Sequence, residues 1–239
     1  MKKLSMAVAV SSIALVAPGL AAADTFNYAS VKGGWAQVRD THFDLGVDGN
    51  DIDTRIETSY DDGFVGGVAF GRQYDEGRSF NVRAEVEIGY QMADVDRHTE
   101  VRTDVSDEDV PRPDGTDSVA SPEGDFSTLY GFASVYGERD LNILPELSFI
   151  FGAGVGLGLV EFDGYGPDAD GNALMDDSDI GFGYHLTTGW SYDVADRIAL
   201  EATYRYMAFE DVGFEAENGK STRQRIDSHN FMAGVRFGF

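Results

Sequence analysis

Apolar and polar positions alternate with a period of two in several long stretches from Phe80 onwards. Phe80 to Met92 puts Phe80, Val82, Ala84, Val86, Ile88, Tyr90 and Met92 on one face, and Asn81, Arg83, Glu85, Glu87, Gly89 and Gln91 on the other. Ile198 to Ala208 repeats the pattern, with Glu201, Thr203 and Arg205 on the polar face. So does Ser228 to Phe239, where Phe231, Ala233, Val235, Phe237 and Phe239 oppose Asn230, Met232, Gly234, Arg236 and Gly238. Leu147 to Leu159 sets bulky apolar residues against Gly152, Gly154, Gly156 and Gly158, which leaves room on that side for long side chains from facing strands. Ile180 to Tyr192 places Phe182, Tyr184, Leu186, Trp190 and Tyr192 on one face and His185, Thr187 and Gly189 on the other. Ala29 to Val38, Phe64 to Tyr74 and Phe126 to Gly137 read as strands with blurred alternation.

The connections between these eight segments alternate in kind. Asp75 to Ser79, Arg139 to Glu146 and Asp193 to Arg197 are short. Arg39 to Gly63, Ala93 to Asp125, Asp163 to Asp179 and Glu210 to Asp227 are long and polar. Short turns at one rim and long loops at the other, with clean apolar faces, predict an all-β transmembrane barrel of eight antiparallel up-and-down strands, apolar outward and polar towards the lumen. A β-sandwich gives no reason for every second connection to be long. Ala93 to Asp125, with Pro111, Pro113 and Pro122, is expected to be an irregular, mobile loop.

The start of the chain adds a compartment. Met1-Lys2-Lys3, a short apolar run to Val16 and Ala21-Ala22-Ala23 read as a signal peptide over residues 1–23, leaving 24–239 as the barrel with four long extracellular loops. The apolar run is shorter than the about 20 residues of a spanning helix. There is no cysteine, so a lipid anchor on sulfur, disulfides and thiol chemistry are excluded. The formal net charge is −24, and it becomes more negative once Lys2 and Lys3 are removed; nucleic acid, which demands a basic surface, is excluded as a partner.

Phe149 to Gly158 (FIFGAGVGLG), Gly183 to Tyr192 (GYHLTTGWSY), Tyr204-Arg205-Tyr206 and the terminal Gly234-Val-Arg-Phe-Gly-Phe239 together resemble the opacity-type and OmpA-like surface-antigen barrels of proteobacteria. The resemblance implies residence in the outer membrane of a Gram-negative bacterium, among its lipids and lipopolysaccharide. It also implies that the aromatics Phe231, Phe237 and Phe239 are the signal read by the barrel-assembly machinery. Many OmpA-like proteins carry a peptidoglycan-binding domain after the barrel, and with the last strand at Phe239 this chain is expected not to tether the cell wall. The motifs identify architecture more strongly than activity.

Candidate chemistry is sparse. Asp168, Asp170, Asn172 and Asp179 hold oxygen ligands at calcium-loop spacing, but Gly171 comes one place early and Ala173 stands where the sharp turn needs glycine, so a solvated acidic loop is the better reading. Divalent cations remain candidate partners of the acidic loops, including Asp48, Asp51, Asp53, Asp61 and Asp62. No cofactor is called for. His185-Leu186-Thr187 is the nearest approach to the His and Ser, two apart on one strand, of the lipid-A deacylases, with threonine in place of the serine and a lumen-facing side chain. Trp35, Tyr90, Trp190, Tyr192, Tyr204 and Tyr206 suit belts at the headgroup level.

An eight-stranded barrel is just wide enough to be filled by its own side chains. The inward charges Arg83, Glu85, Glu87, Glu201, Arg205 and Arg236 are therefore expected to pair, Glu201 with Arg236 on neighbouring strands and Glu85 or Glu87 with Arg205 across the lumen. The functional expectation is a monomeric, non-enzymatic barrel with a structural and surface-interaction role and a plugged lumen. A narrow or gated channel for small solutes is the alternative, and a lipid-A-modifying enzyme a third reading.

Overall fold

A computed structural model describes residues 25–47, 52–75, 80–104, 112–120, 125–141, 144–167, 173–215 and 221–239. The proposed leader, 1–23, lies outside them. The described residues form eleven strands: β1 (Thr25–Val38), β2 (Thr41–Val47), β3 (Ile52–Tyr60), β4 (Gly63–Asp75), β5 (Phe80–Asp104), β6 (Arg112–Ala120), β7 (Asp125–Asp140), β8 (Leu147–Pro167), β9 (Ala173–Ala195), β10 (Ile198–Glu215) and β11 (Ser221–Gly238).

Eight of them close a ring in the order β1, β4, β5, β7, β8, β9, β10, β11 and back to β1, every pairing antiparallel. The closing pair β1–β11 runs in unbroken register from Tyr28 opposite Gly238 to Val38 opposite Ser228. Closure leaves no exposed edge in the ring, which is the condition for burying backbone in lipid. The remaining three strands correct the reading of the long loops as irregular. β2, β3 and β6 form a second sheet with the outer end of β5, so residues 39–63 contain a hairpin and 93–125 are strand over much of their length. β8 and β9, and β10 and β11, likewise stay paired beyond the ring's main band.

At the opposite rim one turn is described in full and is tight. Asp196-Arg197 links β9 to β10 with Arg197 at φ 64°, and the Arg197 carbonyl accepts the Gly238 N–H at 2.7 Å. On β10 a bulge between Phe209 and Val212 places Asp211 at φ 56°, and the Gly213 N–H donates to Asp179 Oδ2 at 2.7 Å.

The outward face is apolar. Val68, Val86, Ile88, Val155, Leu157, Leu186, Phe231 and Phe237 are all about half exposed, an arrangement that only a lipid environment stabilises. The inward face is layered. Near the short-turn rim it is charged, as the alternation predicts. Near the long-hairpin rim it is a dry apolar core of Val38, Val65, Val95, Phe126, Phe132, Val160, Met207, Phe209, Val212 and Ile226. The expectation of a lumen polar along its whole length is thereby corrected. β8 passes close to its neighbours because its inward residues lack side chains: a Cβ on Gly156 would lie 1.9 Å from the Gly131 carbonyl oxygen, and one on Gly154 2.3 Å from Ser134 Oγ.

Candidate functional site

The charged half of the lumen is the densest chemistry among the described residues. Period-two geometry on five ring strands aims eight ionisable side chains inward: Lys32 from β1, Arg83, Glu85 and Glu87 from β5, Glu138 from β7, Glu201 and Arg205 from β10, and Arg236 from β11. Four cations face four carboxylates, so the set is electrically neutral.

The set has two levels. Nearer the short turns, Arg83 Nη1 lies 2.6 Å from Glu201 Oε1 and Arg83 Nε 3.5 Å from Glu138 Oε2. Arg236 closes the ring, with Nη2 3.1 Å from Glu138 Oε1 and Nε 3.1 Å from Glu201 Oε1. It also donates to Gln73, and to Ser191 Oγ at 3.3 Å. Arg83 Nε, Arg236 Nε and Glu138 Oε2 make no hydrogen bond, so those contacts are electrostatic and not directional. One level up, Arg205 grips Glu87 with both arms of its fork, at 2.6 and 2.9 Å, the two side chains being 1% and 0% exposed. Lys32 Nζ bridges Glu85 at 2.8 Å and Glu87 at 3.0 Å. Tyr28 donates to Glu85 at 3.0 Å and Tyr130 to Glu87 at 3.3 Å, while Arg205 donates to the Tyr136 hydroxyl at 3.3 Å. Arg83 lies 5.3 Å from the Tyr136 ring centroid and 5.6 Å from that of Tyr28. Charges this far from water persist only with such complete pairing.

Of the sequence candidates, Arg83, Glu201 and Arg236 meet in the lower level and Glu85, Glu87 and Arg205 in the upper one. Glu85 contacts Lys32 and Tyr28, and Arg205 takes Glu87. Lys32, Glu138, Tyr28, Gln73, Tyr130 and Tyr136 were missed. Lys32 shares the parity of Tyr28 and Ser30 on β1, and Glu138 that of Ser134 and Tyr136 on β7, which is the signal that marks them as inward.

Above the ion pairs sits a neutral polar chain. Arg205 Nε–H donates to Thr187 Oγ1 at 3.3 Å, and the same hydroxyl shares a hydrogen bond with His185 Nδ1 at 3.0 Å. The other ring nitrogen, Nε2, shares a hydrogen bond with Ser134 Oγ at 2.8 Å. The space left among these groups is about 10 Å³, bounded by Lys32, Arg83, Glu85, Tyr136, Glu201 and Arg205, roughly the room for one water. A wider vestibule of about 530 Å³ opens at the short-turn mouth, floored by Glu138 and Arg236.

Asp168, Asp170 and Asn172 lie outside the described residues, and Asp179 Oδ2 is occupied by the Gly213 N–H. Phe231, Phe237 and Phe239 all face outward.

A closed antiparallel ring with an apolar exterior and a charged, filled interior defines a transmembrane β-barrel. The chain belongs to the outer membrane protein beta-barrel domain family, whose model matches residues 6–239. Its fold is similar to that of Neisserial surface protein A, at 18% identity with a TM-score of 0.51 over 89% of this chain and 97% of that one. OprG from Pseudomonas aeruginosa (14% identity, TM-score 0.44, 91% of this chain and 98% of that one) and Ail, the attachment invasion locus protein of Yersinia pestis (14%, 0.42, 89% and 99%), are also similar. No curated protein matches. The protein resides in the outer membrane of a Gram-negative bacterium, and barrels of this class keep the short turns periplasmic and the long connections outside.

Proposed function

We propose that this is a non-enzymatic barrel that reinforces the outer membrane and presents its extended hairpins at the cell surface, without conducting solutes. One observation carries the reading: the neutral cluster of four cations and four carboxylates, capped on the extracellular side by the apolar core, leaves a cavity of about 10 Å³. Ions would have to break buried pairs and then cross a dry layer of Phe126, Phe132, Phe209 and Met207. The partner of His185 Nδ1 is the Thr187 hydroxyl and not a carboxylate, so the His185–Ser134 pair lacks the orienting acid of a nucleophilic triad, which supports the absence of catalysis. His185 and Ser134 are also buried away from both lipid and water. Purified protein in planar bilayers is expected to give no steady conductance. Regular open-channel steps would overturn the reading in favour of a narrow channel.

A further inference from the structure

The periplasmic mouth holds charge that the lumen cluster does not balance. Inward parity continues to the ends of the ring strands, so Phe26 of β1, Asp140 of β7, Ser148 of β8, Asp193 of β9 and Ala199 of β10 all line the vestibule of about 530 Å³ beneath Arg236. With the turns included, its walls carry five carboxylates, from Glu138, Asp140, Glu146, Asp193 and Asp196, against two guanidiniums. Both guanidiniums are committed. Arg236 takes Glu138 and Glu201, and Arg197 lies 5.6 Å from the Phe26 ring centroid. Asp140, Glu146, Asp193 and Asp196 are thereby left, among the described residues, without a cation at ion-pair distance.

The acidic wall is fixed in place. The Asp193 N–H donates to the Glu146 carbonyl at 2.9 Å, and Ser148 Oγ donates to Asp140 Oδ1 at 3.0 Å. At the inner end Glu138, 2% exposed, lines the vestibule with its Oε2 accepting no hydrogen bond; Arg83 Nε faces that oxygen at 3.5 Å without forming one. A bare metal ion does not suit the set, because among the described residues no three acidic or histidine side chains converge on one point. Carboxylates spread along a wall suit a cation whose charges are also spread. Phe26, Pro145, Val194 and Ala199 add apolar surface to the same cavity, which favours methylene groups between the charges. The volume lies within the about 300 to 1,000 Å³ of small-molecule sites.

We propose that the periplasmic vestibule binds a linear aliphatic polyamine, its ammonium groups donating to the carboxylates of Asp140 and Asp193, with Glu138 at the inner end, and its methylene chain lying on the apolar wall. The site belongs to the mouth alone. It would fill from the periplasm whether or not the lumen conducts.

The test is solution NMR of the purified, isotope-labelled barrel in nonionic detergent, titrated with spermidine at constant ionic strength. The backbone amides of residues 140, 148 and 193 are expected to shift along a common saturating curve, and D140N/D193N to bind about tenfold more weakly at those positions. Butylamine, with a single ammonium, and Mg²⁺ are expected to leave the same amides far from saturation over the same concentrations. Heat-modifiability reports that each variant is folded; should the double variant not fold, D193N alone is expected to give a weaker curve. Any of three results would overturn the site: unchanged curves in the folded asparagine variants, shifts confined to the extracellular hairpins, or equal saturation by Mg²⁺ or butylamine. Tighter binding of a lysine-rich peptide than of spermidine would overturn the polyamine in favour of a basic protein segment.

Discussion

At Arg205 a single side chain ties together Glu87, Tyr136 and Thr187, and through Thr187 the His185–Ser134 pair. Truncation to alanine leaves the Glu87 carboxylate with Lys32 as its one remaining cation beside the Tyr130 hydroxyl, and is expected to cost about 3 to 5 kcal/mol, measured by urea unfolding from vesicles. Adding Glu87→Gln should restore part of that loss, because the neutral amide removes the uncompensated charge while Lys32 keeps Glu85. An equal or larger loss in the double variant would mean that packing, and not charge, governs the position. Asp193 at the periplasmic rim behaves oppositely. Burial raises its carboxyl above the usual range against the pull of Arg236, and Glu138 and Asp140 raise it further. A raised carboxyl costs stability above its unfolded pKa, and the cost disappears as pH falls below that value. Asp193→Asn is accordingly expected to unfold at slightly higher urea than the parent at neutral pH, with the difference vanishing in acid; a difference that grows in acid would reverse the sign.

At the scale of the strand, legibility followed the contrast between the two faces. β5, β8, β9, β10 and β11 separate apolar from polar or small residues cleanly, and their place in the ring is readable from alternation alone. β7 is blurred for a physical reason: Phe126, Tyr130 and Phe132 turn inward to the apolar core while Leu129 and Val135 face lipid, so both faces are apolar at the top. Glu138 lies on that strand and Lys32 on the equally blurred β1, which is why the candidate network lacked them. The hairpin strands β2 and β3 do alternate, Phe43, Leu45 and Val47 against His42 and Asp44, and Ile52, Ile56 and Tyr60 against Asp53, Arg55 and Glu57, but each is short and set among acidic residues, and β6 has no such alternation. Strand packing is most exacting along β8. Gly156→Ala would drive Cβ into the Gly131 carbonyl, backbone that cannot step aside, and is expected to destabilise by about 1 to 3 kcal/mol or more. Gly131→Ala meets nothing nearer than 3.8 Å and should fall within about 0.5 kcal/mol of the parent in the same assay.

For the whole molecule, insertion depends on the strand that closes the ring. Phe239 is 61% exposed on the outside, 6.1 Å from Phe70 across the seam. Its deletion is expected to lower the yield of heat-modifiable, membrane-inserted protein far more than the yield of polypeptide. Equal folded yields would remove the terminal aromatics from any role in assembly. The vertical order of the interior has a different kind of consequence. The fastening charges lie low in the barrel, the apolar core separates them from the outer hairpins, and the described hairpin strands add length without adding to the ion pairs. A foreign epitope spliced between β10 and β11, beyond Glu215 and before Ser221, would therefore ride on a scaffold whose anchorage it does not touch, and sequence drift in the displayed tips would be uncoupled from the melting of the barrel beneath.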